Sequence, residues 1–124
     1  MEQPPVKEIL ILDHNHSKTS VIDDISSFKN WKLSVTYDPL ATYNLAKNNR
    51  PDLIILDYLL LDKEAEDICE DFKNDALLSR IPLIIVTVYQ RKQTAIESLC
   101  CDSFFVRPID NESLTSRINS LLAS

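Results

Sequence analysis

The stretch Pro51-Asp52-Leu53-Ile54-Ile55-Leu56-Asp57 decides the fold. Four consecutive apolar residues, two of them β-branched, stand between a Pro-Asp pair and a second aspartate. Hydrophobicity that is continuous over so short a run suits a strand covered on both faces, as in a parallel sheet. Three more runs have this form: Ile9 to Leu12, ended by Asp13; Leu83 to Val86, ended by Thr87; and Phe104 to Val106, ended by Arg107. A fifth run, Trp31 to Tyr37, alternates instead, with Trp31, Leu33, Val35 and Tyr37 separated by polar residues. That pattern predicts an edge strand with one wetter face.

Helical periodicity fills the intervals. Val21, Ile22, Ile25 and Phe28 share a stripe, and Ala41 and Leu45 form a weaker one. Ala65, Ile68, Cys69, Phe72 and Ala76 follow the i, i+3, i+4, i+7 template, as do Ala95, Ile96, Leu99 and Cys100, and then Leu114, Ile118, Leu121 and Leu122. Pro39 precedes the second helix and Asp110 can cap the last. Pro51 and Pro82 stand just before strands, where a missing N–H does least harm. Five strands and five helices in strict alternation predict an α/β domain over residues 1–124: a doubly wound five-stranded parallel sheet with helices on both faces. The predicted strand order is 2-1-3-4-5, which puts the alternating run and the short fifth run at the two edges.

Composition narrows the function. At 124 residues, 44% hydrophobic and 26% charged, the chain has the size and content of one domain with a real core. Thirteen basic against nineteen acidic residues give a net charge of -6, which disfavours direct nucleic-acid binding. No apolar run is long enough to span a membrane, and the beginning, MEQPPVKEIL, carries no apolar signal region, so a cytoplasmic protein is expected. Glycine is absent, which excludes every glycine-rich phosphate loop. The three cysteines, Cys69, Cys100 and Cys101, form no CxxC pair and are expected to be reduced thiols packed as small hydrophobes.

In a sheet of this kind ligands bind beyond the carboxyl ends of the strands. Four of the five runs end there on Asp13-His14, Asp57, Thr87 and Arg107. A carboxylate nucleophile, a neighbouring carboxylate, a hydroxyl and a fixed cation are the groups that phosphoryl transfer to a side chain needs. Asp57 would attack, Thr87 and Arg107 would hold the phosphoryl oxygens, and Asp13 would help to hold a divalent metal.

With these residues in place the chain resembles the receiver domains of bacterial two-component response regulators, which have a flavodoxin-like (βα)5 fold. The resemblance runs along essentially the whole chain and rests on ILILDHN, PDLIILD, PLIIVT and FFVRP and on the spacing between them. It implies that Asp57 is the phosphoacceptor, that Asp13 and His14 occupy the positions of the acidic pair that binds Mg²⁺ together with Asp57, that Thr87 is the switch hydroxyl and that Arg107 stands for the family's lysine. It also implies that Phe104 is the aromatic switch and that the Arg107-Pro108 bond is cis. The implied partners are a histidine kinase or phosphotransfer protein upstream and a protein target downstream. No enzymatic activity is expected beyond self-phosphorylation and self-dephosphorylation.

Four positions depart from the pattern. His14 replaces the second acid, and a neutral imidazole suits hard Mg²⁺ less well than a carboxylate, so weakened Mg²⁺ affinity is expected. Arg107 offers a planar fork on a longer stem in place of an ammonium. Leu61 and Ala65 stand where the family has proline and glycine, and Cys100-Cys101 replaces a Gly-Ala pair. These departures support a second reading, a pseudo-receiver that keeps the fold as an interaction module without phosphorylation. A flavin-binding flavodoxin is disfavoured by the lack of a phosphate loop after the first strand. A haloacid-dehalogenase-type phosphatase is disfavoured because Asn15 stands where a second acid should follow Asp13.

Overall fold

Residues 7–13, 31–58, 63–87, 102–106 and 110–123 are described by a computed structural model. The elements are β1 (Lys7–Asp13), β2 (Trp31–Thr36), α1 (Pro39–Asn49), β3 (Leu53–Tyr58), α2 (Lys63–Asn74), β4 (Leu83–Thr87), β5 (Ser103–Val106) and α3 (Asn111–Ala123), with a short 3-10 turn at Leu78–Arg80 before β4. All strand pairings are parallel and the order is β2-β1-β3-β4-β5. The expected helices over Val21–Phe28 and Ala95–Cys100 lie outside the described residues.

Both faces of the sheet are dry, which is why its central strands read as unbroken apolar runs. Leu10, Leu12, Ile54, Leu56 and Ile85 pack on one face with Ala46 of α1 and Ile68, Cys69 and Phe72 of α2. Ile9, Ile11, Leu53, Ile55, Ile84 and Val86 pack on the other with Leu114 and Ile118 of α3. Helices on both faces confirm the doubly wound arrangement. β2 is an edge strand as expected, but it stops at Thr36, one residue short of the alternating run.

The register of this sheet is fixed at the amino ends of its strands by a contact that occurs twice. Asp52, just before β3, donates its backbone N–H to the Glu8 carbonyl at 2.8 Å. Its carboxylate accepts the Glu8 N–H, also at 2.8 Å. Asp102, just before β5, does the same with Leu83, both bonds again 2.8 Å. Each aspartate satisfies a terminal N–H that would otherwise lack a ladder partner. Arg117 of α3 reinforces the second clamp, its guanidinium donating to the Ser103 hydroxyl and to the Asp102 carbonyl.

Helix ends depart from expectation in two places. Pro39 lies inside the first turn of α1 and Asp38 is the cap, accepting the Leu40 N–H at 3.0 Å. α2 ends at Asn74, so Ala76 falls beyond the helix. Asp110 caps α3 as expected, accepting from the N–H and the hydroxyl of Ser113. At the other end of α1, Arg50 takes a left-handed conformation (φ 47°, ψ 65°) and returns its N–H to the Ala46 carbonyl at 2.9 Å. Glycine is the usual residue at such a site because it has no Cβ to clash.

α1 and α2 are tied together by one polar cluster. The Tyr43 hydroxyl donates to the Asp75 carboxylate at 2.6 Å. The Lys47 ammonium lies 3.0 Å from the same oxygen, and the other oxygen accepts the N–H groups of Leu77 and Leu78. Tyr43 also stacks on Phe72 with centroids 6.1 Å apart. Donation from Tyr43, then from the Leu78 N–H, from Lys47 and from the Leu77 N–H, holds Asp75 well below the usual carboxylate range. The bond to Asp75 raises both Tyr43 and Lys47 above their ordinary values.

The strained terminus and the polar cluster are each open to test. Arg50→Gly should raise the unfolding free energy by about 0.5–1 kcal/mol in urea titration, since it relieves the left-handed strain at some entropic cost. A carboxyl whose folded pKa is depressed stabilises the fold fully above its unfolded pKa, about 3.9, and loses that contribution as pH falls. Thermal melts should therefore place Asp75→Asn clearly below the native chain at pH 6, with the gap narrowing steadily below about pH 4.

Candidate functional site

Register carries the expected residues to one edge. With Glu8 held level with Asp52, β1 and β3 run in step to their carboxyl ends, where Asp13 pairs with Asp57. Asp57 pairs in turn with Val86 on β4, Tyr58 with Thr87, and Thr87 with Val106 on β5. Neighbouring strands lie about 4.8 Å apart, so the backbones of Asp13 and Asp57 are separated by about that distance, and Asp57 and Thr87 by about 6 Å. Positions 13, 57 and 87, far apart in the chain, thus meet on three adjacent strands at the same end of the sheet.

Asp13 is 1% exposed and follows four buried apolar residues, Ile9 to Leu12, at the end of β1. A carboxylate in such a place needs a partner of opposite charge or hydrogen-bond donors. Phe104 is half-buried, pairs with Ile85 and packs against the cluster that holds Leu10, Leu56 and Ile85. His14, Arg107 and Pro108, and residues 59–62 after β3, lie outside the described residues. So do Cys100 and Cys101, whereas Cys69 is buried in the core on one face of the sheet, packed as expected. Asp67, Glu70 and Asp71 lie exposed on α2.

Strand order and register give a doubly wound parallel sheet, and relatives align with the chain along nearly its whole length. The chain is 26% identical over 118 residues to the polar-differentiation response regulator DivK of Brucella anthropi, covering 94% of this chain and 96% of that one. The chain is thus similar, along nearly its whole length, to a response regulator. It is 24% identical over 115 residues to the response regulator PleD of Caulobacter vibrioides, of which it spans a quarter of the length (25%, against 91% of this chain). Its fold matches the crystal structure of the receiver domain of sensor histidine kinase PA1611 from Pseudomonas aeruginosa with a TM-score of 0.81 at 17% identity, covering 97% of this chain and all of that one. That structure has a magnesium ion in its active-site cleft. No family model matches the chain. Among the described residues no helix is long and apolar enough to cross a membrane.

Two features of this domain are hidden in its sequence. One is the Tyr43–Lys47–Asp75 cluster, whose members look like ordinary surface residues until α1 and α2 are packed. The other is the exposed apolar group at the end of β2, which the alternating pattern of that run disguises as strand interior.

Proposed function

We propose that this domain receives a phosphoryl group on Asp57 from a histidine kinase or phosphotransfer protein and passes the signal on by binding another protein. The observation that supports this most is the register, which sets Asp13 opposite Asp57 and Thr87 one residue beyond Asp57's partner on β4, all at the carboxyl edge of the sheet. A carboxylate oxygen of Asp57 would attack phosphorus as the bond to the donor's imidazole nitrogen breaks, and the freed imidazole takes up a proton. Thr87 and Arg107 are assigned to the phosphoryl oxygens, one by its hydroxyl and the other by its guanidinium.

Two aspartates on adjacent strand ends form an oxygen-rich, negatively charged pair, which fits Mg²⁺. Asp13 and Asp57 would hold the ion, with His14 a weaker third neighbour, and the ion would offset the charge of the incoming phosphoryl group. Phe104, packed at the rim of the core next to Ile85, would report the change at Thr87 on the neighbouring strand. Phosphorylation would then shift a minor conformation toward dominance. The proposed setting is the cytoplasm, without direct contact to nucleic acid or membrane. Catalysis is limited to the domain's own phosphorylation and its reversal.

His14 and Arg107 favour the pseudo-receiver as the second reading. One experiment separates the two. Incubation with phosphoramidate and Mg²⁺ should raise the intact mass by one phosphoryl group, and Asp57→Asn should abolish the gain. Asp13→Asn should slow labelling by about tenfold or more at limiting Mg²⁺, the scale on which metal sites respond to a lost partner. A folded native chain that gains no mass at saturating donor is a pseudo-receiver.

A further inference from the structure

The amino end of the sheet carries cations that the fold does not use. Lys7, Lys32, Arg50, Lys73 and Arg80 are all exposed. None of these side chains has an ion pair among the described residues, where Lys47 alone is taken up by a carboxylate, that of Asp75. The acids at this end are already engaged: Asp52 and Asp102 accept backbone N–H groups, and Glu8 accepts the Ser34 hydroxyl at 3.1 Å. Arg50 adds a second sign. Its left-handed backbone favours glycine or asparagine, and asparagine stands at both preceding positions, 48 and 49. An arginine kept there bears a conformational cost that a use for its guanidinium offsets.

Register sets these residues along one rim. Lys7 opens β1 level with Trp31, and Lys32 follows on β2 level with Glu8. Arg50 stands two residues before Asp52, which the clamp holds level with Glu8, so its backbone reaches the rim beside Lys7. Arg80 closes the 3-10 turn that leads into β4. Lys73, in the last turn of α2, shares a crevice with Ser79, Leu83 and Asp102 at the same end. Neighbouring strands lie about 4.8 Å apart, so the row from β2 to β4 spans about 14 Å. Leu77, just before the turn that holds Arg80, is 48% exposed. Its N–H serves Asp75, a contact that any residue but proline could make. The leucine side chain is thus held in water at one end of a row of cations.

We infer that this rim docks an acidic helix of a partner protein, whose carboxylates meet Lys32, Lys7, Arg50 and Arg80 and whose apolar end covers Leu77. A helix rises about 5.4 Å per turn, close to the strand spacing of about 4.8 Å. A helix with one carboxylate per turn, laid across the strand starts, therefore presents an acid to each cation in succession. An apolar contact flanked by arginine pairs is the make-up of an interface hot spot. The net charge of -6 decides against a broad anionic surface. A membrane or a nucleic-acid duplex would face the acidic remainder of the domain as well, whereas one helix meets the rim alone. The carboxyl ends of the strands lie about 17 Å away, well beyond the screening length of about 8 Å in physiological salt. Docking here is independent of the Asp57 reading, because the rim is the end of the sheet opposite Asp13 and Asp57.

The test titrates the full chain with a hydrocarbon-stapled helical peptide that carries glutamate once per turn and a terminal leucine. Two control peptides have lysine for every glutamate, or serine for the leucine. In low salt the glutamate peptide should shift the backbone amide NMR signals of Lys7, Lys32, Arg50, Leu77 and Arg80 and leave those of Asp13 and Thr36 in place. Added salt should weaken the binding severalfold. Arg50→Gly should weaken it about threefold, the scale of one exposed ion pair, even as it gains the stability expected above. Leu77→Ser should weaken it about tenfold, and the serine peptide should bind the native chain and Leu77→Ser alike. Leu40→Ser, equally exposed to solvent but in the first turn of α1 at the far end, should change nothing. The inference is overturned if the glutamate peptide does not bind, if the lysine peptide binds as well, or if Leu40→Ser loses as much as Leu77→Ser. A native dimer that Arg80→Ser dissociates overturns it by giving the rim to a second copy. Vesicles of phosphatidylserine and phosphatidylcholine that capture the native chain but not Arg50→Gly overturn it by giving the rim to a lipid surface.

Discussion

Parallel register is the constraint on which the rest of this structure depends. Side chains alternate across a strand, so a slip of one residue would turn every buried leucine and isoleucine of β1 or β3 to the wrong face. The penalty is severe here because both faces are covered, one by α1 and α2 and the other by α3. The Asp52–Glu8 clamp sets this register at the amino end. Its result appears about 17 Å away, at the carboxyl end, where Asp13 stands beside Asp57. Stability and site geometry are therefore two outcomes of one alignment.

The molecule divides its polar contacts accordingly. At the amino ends, aspartates 52 and 102 are engaged with neighbouring backbone, and Arg117 fastens β5 to α3. On one flank Asp75 collects a hydroxyl, an ammonium and two backbone N–H groups. These carboxylates serve structure. Asp13 and Asp57 lie at the other end of the same strands, away from these clamps.

Much of this is legible in the sequence because burial on two faces leaves an unmistakable pattern. The runs ending at Asp13, Asp57 and Thr87 reveal strand positions, strand order and the shared edge. The Trp31 run is less faithful: alternation implies an inward face up to Tyr37, yet the strand stops at Thr36 and Val35 and Tyr37 are exposed. Pattern measures hydrophobicity and does not reveal whether a partner covers it. Proline signals a helix start but does not fix its cap. The cap depends on which side chain reaches the first free N–H, and Asp38 does, which leaves Pro39 inside α1. Asp75, just beyond α2, is invisible in the sequence for a related reason, since its partners Tyr43 and Lys47 come from α1, 32 and 28 positions earlier in the chain.

The absence of glycine has a consequence beyond the phosphate loops it excludes. An average chain of this length would contain about nine glycines. Each residue that takes the place of a glycine narrows the range of conformations open to the denatured chain, worth about 0.4–1 kcal/mol where the native backbone tolerates it. Arg50 is the described residue that pays the opposite toll, held at positive φ where a Cβ is unwelcome. One strained helix terminus is thus the local counterpart of a disordered ensemble that is poorer in states, and therefore less entropically favoured, throughout its length.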